Sequence, residues 1–214
     1  LNWNISRAFS LFAYGDYAYF AWPKYGQSFA GAHALDGFLQ LNYQHKKTLF
    51  TAQYRTRCRQ RDNKEKDMLI NRNEHRGRIK ADYVLGSWQL RTQANLTYAL
   101  QESGSLGYML SQSILRHYKC IIVSASLGYF HTQDYSSRVY TYERGMLYDF
   151  SFPCFFGHGI RYSMTARSDL GRHLTLIAKA GTTDYFDRSV IGSGLQEIAH
   201  SSQTDIQLQA IVKL

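Results

Sequence analysis

The stretch WQLRTQANLTYALQ, residues 88–101, alternates between two kinds of side chain. One set of alternate positions is apolar apart from Thr92 and holds Trp88, Leu90, Ala94, Leu96, Tyr98 and Leu100. The other set is polar apart from Ala99 and holds Gln89, Arg91, Gln93, Asn95, Thr97 and Gln101. Because successive side chains of a β-strand point to opposite faces, the pattern predicts one long strand with an apolar face and a polar face.

The same period of two recurs along the whole chain. Nine further segments show it, some of them weakly: 8–20, 36–45, 49–60, 76–85, 107–117, 119–132, 160–169, 173–185 and 204–214. Only two Pro occur in 214 residues, which fits long strand ladders because Pro cannot donate to them. No segment approaches the ~18 consecutive apolar residues of a membrane helix. The sequence therefore predicts an all-β chain of about ten strands.

The connections between these segments alternate between two classes. Tight turns are predicted at 45–47, 86–87, 117–119 and 170–173, and longer connections at 21–35, 61–74, 101–106, 133–156 and 186–203. Short periplasmic turns alternating with longer external loops are typical of outer-membrane barrels. Short and long connections continue to alternate only if 133–156 crosses the membrane twice or not at all. We expect this segment to form an external hairpin or an inward-folded loop.

We predict one domain over 1–214, an antiparallel transmembrane β-barrel with about ten spanning strands in this chain. It is either a complete barrel or the C-terminal part of a longer protein and a larger barrel.

A soluble barrel or sandwich also has period-two strands, but with its apolar face inward. Trp88 and Tyr98 lie ten residues apart on one face, roughly 23 Å along the membrane normal for a tilted strand. Two aromatic girdles bound a membrane band of ~25 Å. We therefore favour the bacterial outer membrane as the location. Lipid should contact Leu90, Ala94, Leu96 and Leu208, and the interior should hold Arg91, Gln93 and Gln207.

The ending DIQLQAIVKL, 205–214, keeps the alternation to the final residue. Its apolar positions are Ile206, Leu208, Ala210, Val212 and Leu214. The pattern resembles the C-terminal assembly signal of bacterial outer-membrane proteins, which usually ends in an aromatic residue, whereas this chain ends in Leu214. We expect recognition by the barrel assembly machinery.

Three segments resemble a Bacteroidota outer-membrane protein family. They are DYSSRVYTYERGMLYDFSFPCFFGHGIRYSM (134–164), TDYFDRSVIGSGLQEI (183–198) and the ending DIQLQAIVKL. Members of that family join an N-terminal helix-hairpin-helix region, which this chain lacks, to a C-terminal barrel. The resemblance covers about the last 110 residues. It implies a fold and a location, and no particular activity.

Basic residues are concentrated between Arg55 and Lys80, where they supply most of the net charge of +9. Like charges directly opposed on neighbouring strands repel, so water, acids or a bound anion must offset them. The polar face is predicted to form a basic lumen wall with Arg55, Arg57, Arg59, Arg76, Arg78, Lys80, Arg91, Arg161 and Arg167. This wall fits an anion-attracting lumen, contact with lipid A phosphates, or a solvated or plugged lumen without selectivity. Contact with nucleic acid, by analogy with the helix-hairpin-helix relatives, ranks last.

The aromatic segment around Tyr140 and Tyr142 is predicted to form an external loop. Glu143, Arg144 and Arg138 are its charged residues. We expect charge-assisted hydrogen bonds from these groups to tie the loop to the lumen wall.

Catalytic and metal motifs are weak. The eight His form no HExxH spacing, and the three Cys form neither a disulfide framework nor a zinc site. His131, Asp134, His158 and Ser163 are the candidate set for a rim hydrolase. We expect no cofactor, no metal and no catalytic residue.

We therefore predict an integral outer-membrane barrel that acts as a channel or transport component. A plugged, structural or interaction subunit of an envelope complex is the alternative, and a rim hydrolase ranks third. The expected partners are outer-membrane lipid or lipopolysaccharide, the assembly machinery and other envelope proteins.

Overall fold

The computed structural model describes residues 1–148 and 152–212. Within those ranges the chain is built from β-strands and two short 3-10 turns, Tyr135–Ser137 and Gly194–Gln196. In chain order the strands are β1 (Asn2–Asn4), β2 (Phe9–Phe20), β3 (Ala32–His45), β4 (Thr48–Asp62), β5 (Leu69–Leu85), β6 (Trp88–Leu100), β7 (Gly104–Tyr118), β8 (Ile121–Thr132), β9 (Val139–Tyr140), β10 (Cys154–Phe155), β11 (His158–Leu170), β12 (Leu174–Tyr185) and β13 (Ser202–Val212). The predicted all-β architecture is confirmed.

Eleven of these strands form one antiparallel sheet in the order β1-β2-β3-β4-β5-β6-β7-β8-β11-β12-β13. Ten of the eleven have 11–17 residues, and each overlaps one of the ten segments predicted from the alternation. The short strands β9 and β10 pair only with each other, so β8 pairs directly with β11. Segment 133–157 thus adds no long strand to the sheet among its described residues.

The tight connections lie where the sequence predicts them, and each begins with a residue of positive φ. The four residues are Lys46, Gly86, Lys119 and Gly171. This left-handed conformation is typical of short hairpin turns, whose twist matches that of the flanking strands. All four turns lie at one end of the sheet, since every strand reverses direction, and the longer connections lie at the other end.

Four of the five predicted long connections are shorter than expected, because β3, β5, β7 and β13 begin earlier than the alternation indicates. The ladder between β4 and β5 continues to the pair Asp62 and Leu69, so 61–74 is reduced to a connection over 63–68. Likewise β7 begins at Gly104, which leaves 101–103 in place of 101–106. The start of β5 shows no hydrophobic alternation, because residues 71–75 are polar on both faces.

The two faces of the sheet are exposed in the opposite sense to those of a soluble protein. On the apolar face Leu208 is 80% exposed and Leu96 is 50% exposed. On the polar face Lys179 is 3%, Arg161 7% and Gln93 9% exposed. The apolar face is therefore open, and much of the polar face is covered.

Aromatic rings on the apolar face form two rows across the strands. On the loop side, His75 and Tyr98 are 6.5 Å apart, and Tyr108, His131 and His158 continue the row at 5.7 and 5.1 Å. On the turn side, Tyr43 and Phe50 are 6.3 Å apart, and Trp88 lies under the guanidinium of Arg116. The rows lie at opposite ends of the strands.

A small apolar core lies on the otherwise polar face. Met109 of β7 and Phe130 of β8 are fully buried against Val139 of β9 and Phe155 of β10. Tyr185 packs against the same group. This core holds segment 133–157 against the polar face.

The last strand is described as far as Val212. Ile206, Leu208, Ala210 and Val212 lie on the apolar face of β13 and are exposed. Leu214 lies outside the described residues.

Candidate functional site

Segment 133–157 is called the inner loop below, and its described residues, 133–148 and 152–157, lie over the polar face of the sheet. Ser105 of β7 donates a buried hydrogen bond of 2.8 Å to Ser137 of the inner loop. A cavity of about 290 Å³ lies between residues 141–144 of this loop and strands β5 to β8 and β11. Strands β5 and β11 are separated by three other strands in the sheet, yet both line this cavity. The polar face is therefore concave here. Of the two arrangements predicted for this segment, the structure has the inward-folded one.

Glu143 is the central anchor of the inner loop. Its carboxylate accepts two hydrogen bonds from the Arg161 guanidinium, at 2.8 and 3.0 Å, and forms an ion pair with Lys179 at 3.0 Å. Arg161 also donates to Asp205 at 2.7 Å and to Thr183 at 3.3 Å. One loop carboxylate is thereby joined to three adjacent strands, β11, β12 and β13.

The strand register explains why these groups meet. Arg161 lies opposite Thr183, and Gly181, two residues before Thr183, lies opposite Asp205. A Cβ on Gly181 would overlap the Arg161 guanidinium, so the glycine leaves the space that this side chain occupies. The arginine therefore lies flat along the polar face and reaches both carboxylates.

The Glu143 carboxyl is ionised in this setting. Burial raises its pKa, but the hydrogen bonds and charges of Arg161 and Lys179 outweigh burial and hold the pKa below its ordinary value. Two cations and two anions lie together, because Asp205 completes the group. The charges of these four residues balance, and Glu143, Arg161 and Lys179 are buried while Asp205 is partly exposed. The balance limits the cost of removing the buried charges from water.

Two further contacts fix the rest of the inner loop. Leu147 N–H donates to the Gln209 side chain at 2.8 Å, and the Gln209 amide donates back to the Leu147 carbonyl at 3.1 Å. The Thr165 hydroxyl donates to the Arg144 carbonyl at 3.0 Å. Of the predicted loop anchors, Glu143 bonds the sheet through its side chain and Arg144 through its main chain.

Arg138, the third predicted anchor, bonds within the loop instead. Its guanidinium donates to the Tyr140 hydroxyl at 2.6 Å and to the Tyr135 carbonyl at 3.0 Å. The ring of Tyr140 lies 5.0 Å from the guanidinium of Arg76 on β5. Tyr142 is exposed and packs against Phe152, with ring centroids 5.7 Å apart. The loop thus reaches the basic strand β5 through an aromatic ring.

The basic residues of β4 and β5 lie on the polar face, and acids offset several of them. Asp36 of β3 binds Arg55 at 2.6 and 2.9 Å and Arg57 at 2.8 Å. Glu74 pairs with Arg76. Acids from neighbouring positions, one of the three offsets expected from sequence, therefore neutralise this part of the wall.

A second group of wall residues lies nearer the turns. Asp82 binds Lys80 at 3.1 Å and also pairs with Arg91. Arg78 donates to Asn95 at 2.8 Å, and Arg167 pairs with Asp169 at 3.0 Å. Arg161, assigned from sequence to the same wall, belongs to the Glu143 cluster instead.

A group of arginines near the loop end of the sheet remains without acids. Arg59 lies directly opposite Arg72 in the β4–β5 ladder. Neither these two nor Arg61 makes an ion pair with any described residue. A cavity of about 400 Å³ opens here, lined by Arg57, Arg59, Arg61, Arg72, Glu74, Arg76, Arg138, Tyr140 and Phe152. Arg59, Arg61 and Arg72 therefore all border this cavity, and Arg59 and Arg61 also line a neighbouring cavity with Asp16, Asp36 and Lys24.

The candidate hydrolase residues do not converge. His158 and Ser163 are five residues apart on β11, so their side chains lie on opposite faces. His131 packs on His158, Ser163 bonds Ser126 at 2.7 Å, and Asp134 caps the Tyr135–Ser137 turn. No group of three or more potential metal ligands occurs among residues 1–148 and 152–212.

Sequence reasoning missed Asp36, Lys179 and Asp205 as parts of the site. Each is a charged residue at a polar-face position of a predicted strand, and that was the available signal. What sequence lacked was the register that brings Lys179 and Asp205 beside a loop residue more than 35 positions away.

No family model and no curated protein matches this chain. A search of solved structures finds the copper transporter OprC, with a TM-score of 0.49 and 10% identity over 95% of this chain. The match spans 38% of that transporter's chain. A TM-score below 0.5 does not establish a shared fold. Among the described residues, no helix has the length and apolar character needed to cross a membrane.

Proposed function

We propose that this chain forms an outer-membrane β-barrel, or a continuous part of one, and acts as a channel or transport component with a cationic interior. One observation carries the proposal, the reversed burial of the two faces. A sheet that exposes Leu208 and Ile206 while it covers Lys179 and Arg161 is adapted to an apolar solvent outside and to a polar interior. The two aromatic rows on the exposed face support the same arrangement, because aromatic girdles lie at membrane interfaces.

The inner loop defines the path through this interior. It crosses the polar face from Arg76 on β5 to Gln209 on β13, so a solute must pass beside it. The remaining space borders the basic strands β4 and β5, where Arg59, Arg61 and Arg72 form no ion pair with residues 1–148 or 152–212. Cations at a constriction raise the local concentration of anions. The transported species in this proposal is therefore an anion.

A plugged barrel with a structural role is the second candidate. The buried anchor at Glu143 and the apolar core of Met109, Phe130, Val139 and Phe155 favour it, because both hold the inner loop in place. The two candidates differ in whether ions pass.

Conductance of the purified protein in planar bilayers separates these functions. An anion channel gives a reversal potential of the sign expected for anions in a salt gradient, and the preference weakens at high salt. Replacing Arg59 and Arg78 together by Glu should reduce or reverse it, whereas Arg172→Glu in a tight turn should leave it unchanged. Insertion without conductance would favour the structural role. Conductance with the same selectivity in the double variant would contradict the anion pathway.

A further inference from the structure

The arginines without acidic partners lie together at the loop end of β4 and β5. We propose that the 400 Å³ cavity there is a binding site for a ligand that carries at least two phosphate groups, held by Arg59, Arg61, Arg72 and Arg138. This deepens the proposed function and rests on it in one respect, that the polar face is the interior. A basic wall in general attracts anions, whereas this site selects among them.

The ladder register gives the first argument. Arg59 and Arg72 are cross-strand partners, and like charges at such positions destabilise a sheet. Elsewhere on these strands the equivalent repulsion is offset, since Arg55 and Arg57 bind Asp36 and Arg76 binds Glu74. The Arg59–Arg72 pair has no such partner among the described residues. A bound anion supplies the offset that the described residues do not.

The inner loop gives the second argument. Arg138 brings another guanidinium to the same cavity, and its bonds to Tyr140 and Tyr135 are made with neutral oxygens. Those bonds fix the position of the side chain without cancelling its charge. The site is therefore built from two strands and the loop that covers them, and it forms only when the loop is seated.

Charge and geometry define the ligand. Four guanidinium groups that form no ion pair with a described carboxylate border this cavity, and Glu74, the carboxylate among its described lining residues, pairs with Arg76. Guanidinium groups bind phosphate oxygens with two parallel hydrogen bonds, so several of them match several phosphates. A cavity of this volume lies within the ~300–1,000 Å³ typical of small-molecule sites. A monovalent anion would leave most of the positive charge uncompensated.

Linked phosphates occur both in soluble oligophosphates and in the headgroups of phosphorylated glycolipids. The test therefore has two arms, each using the full chain folded in detergent. Calorimetric titration with tripolyphosphate measures the soluble source, with inorganic phosphate for comparison. Titration with mixed micelles that contain a bis-phosphorylated glycolipid measures the lipid source.

The informative variant is Arg59→Gln with Arg72→Gln. It removes a repulsive pair, so the fold should be at least as resistant to denaturant as the wild type. Binding should fall at least about tenfold in whichever arm shows it, because charge-assisted contacts are lost. The control Arg116→Gln with Arg172→Gln removes the same charge near the tight turns and should bind as the wild type does.

Wild-type binding of tripolyphosphate should exceed that of inorganic phosphate and weaken between about 0.05 and 0.3 M salt, as screening increases. Binding in neither arm, or equal binding by the Arg59/Arg72 variant and the wild type, would overturn the site. The assay needs no conductance. A protein that binds but does not conduct therefore contradicts the channel alone, and one that conducts but does not bind contradicts the site alone.

Discussion

Glu143 and Arg161 form two parallel hydrogen bonds, at 2.8 and 3.0 Å, and both side chains are almost completely buried. The first residue belongs to the inner loop and the second to β11, so the pair joins a connection to the sheet that it covers. Lys179 and Asp205 extend the pair to β12 and β13. Through the Glu143 carboxylate the loop is therefore joined to three strands of the sheet.

Replacing Glu143 by Gln should lower the free energy of unfolding. The substitution removes the carboxylate that binds both Arg161 and Lys179, and removing one member of a buried charge pair costs about 3 kcal/mol or more. Urea-induced unfolding in detergent measures the change. Glu102→Gln is the matched control, because Glu102 pairs with Lys64 at the surface and such pairs contribute less than ~1 kcal/mol. Equal losses in the two variants would contradict the anchoring role.

The same anchor should weaken in acid. The pKa of Glu143 is lower in the folded chain than in the unfolded chain, since Arg161 and Lys179 outweigh the effect of burial. The contribution of the Glu143 carboxylate to the free energy of unfolding is therefore complete above the unfolded pKa of ~4.3 and is lost as pH falls through the folded pKa.

The measurement is the difference in unfolding free energy between wild type and Glu143→Gln at a series of pH values. The difference should stay constant from pH ~7 to ~5 and shrink below ~4. A difference that stays constant to pH ~3, or shrinks on the alkaline side instead, would show that Glu143 is not the group responsible.

Seating of the inner loop should also depend on Gly107. A Cβ at this position would overlap the Ser137 carbonyl, which belongs to the backbone and cannot rotate away. Gly107→Ala should therefore displace the Tyr135–Ser137 turn and make the inner loop more susceptible to protease, by several-fold in cleavage rate. The sheet itself should still form, because the ladder partner of Gly107 across β8 is Thr132, at the strand end.

Gly77→Ala is the control for that change. Gly77 is also a strand glycine, but an added Cβ would make only an ordinary contact of 3.9 Å with Leu96 on the apolar face. Its proteolysis should match that of the wild type. If both alanine variants are cleaved alike, the close approach between β7 and the inner loop does not control the loop's position.

The sequence predicts the strands well and the contacts between them poorly. The alternation at 88–101 identifies both faces of β6, because the face to which a strand residue points depends only on whether its position is odd or even. The same reasoning limits segment 133–156 to no crossing or two, and the described residues of that segment add no strand to the main sheet. This alternation is a local property, so the two faces of a strand can be predicted from a single segment.

The anchor of the inner loop depends instead on which strands are neighbours and in what register. Glu143 and Arg161 are 18 residues apart, and Arg161 and Asp205 are 44 apart. No local pattern encodes those distances. The basic strands show the same limit, since sequence locates Arg55 and Arg57 on the polar face but leaves open that Asp36, on another strand, neutralises them.

The last prediction separates a membrane protein from a soluble one. Leu208 lies in the middle of β13 opposite Ala178, on the apolar face, and is 80% exposed. In water, changing so exposed a residue to Arg would alter stability by about 0.5 kcal/mol or less. In a bilayer the same position lies near the midplane, where Arg on the lipid face costs about 2–4 kcal/mol. Leu208→Arg should therefore sharply reduce folding into lipid vesicles, measured as the fraction that shows heat-modifiable mobility on gels.

Thr204→Arg is the matched control, because Thr204 lies on the same face nearer the strand end. Near the membrane interface the free-energy cost of a lipid-facing Arg falls to about 0–1 kcal/mol. A large defect at Leu208 with a small one at Thr204 is the depth dependence expected of a lipid-facing strand, whereas normal vesicle folding of Leu208→Arg would mean that this face does not contact lipid.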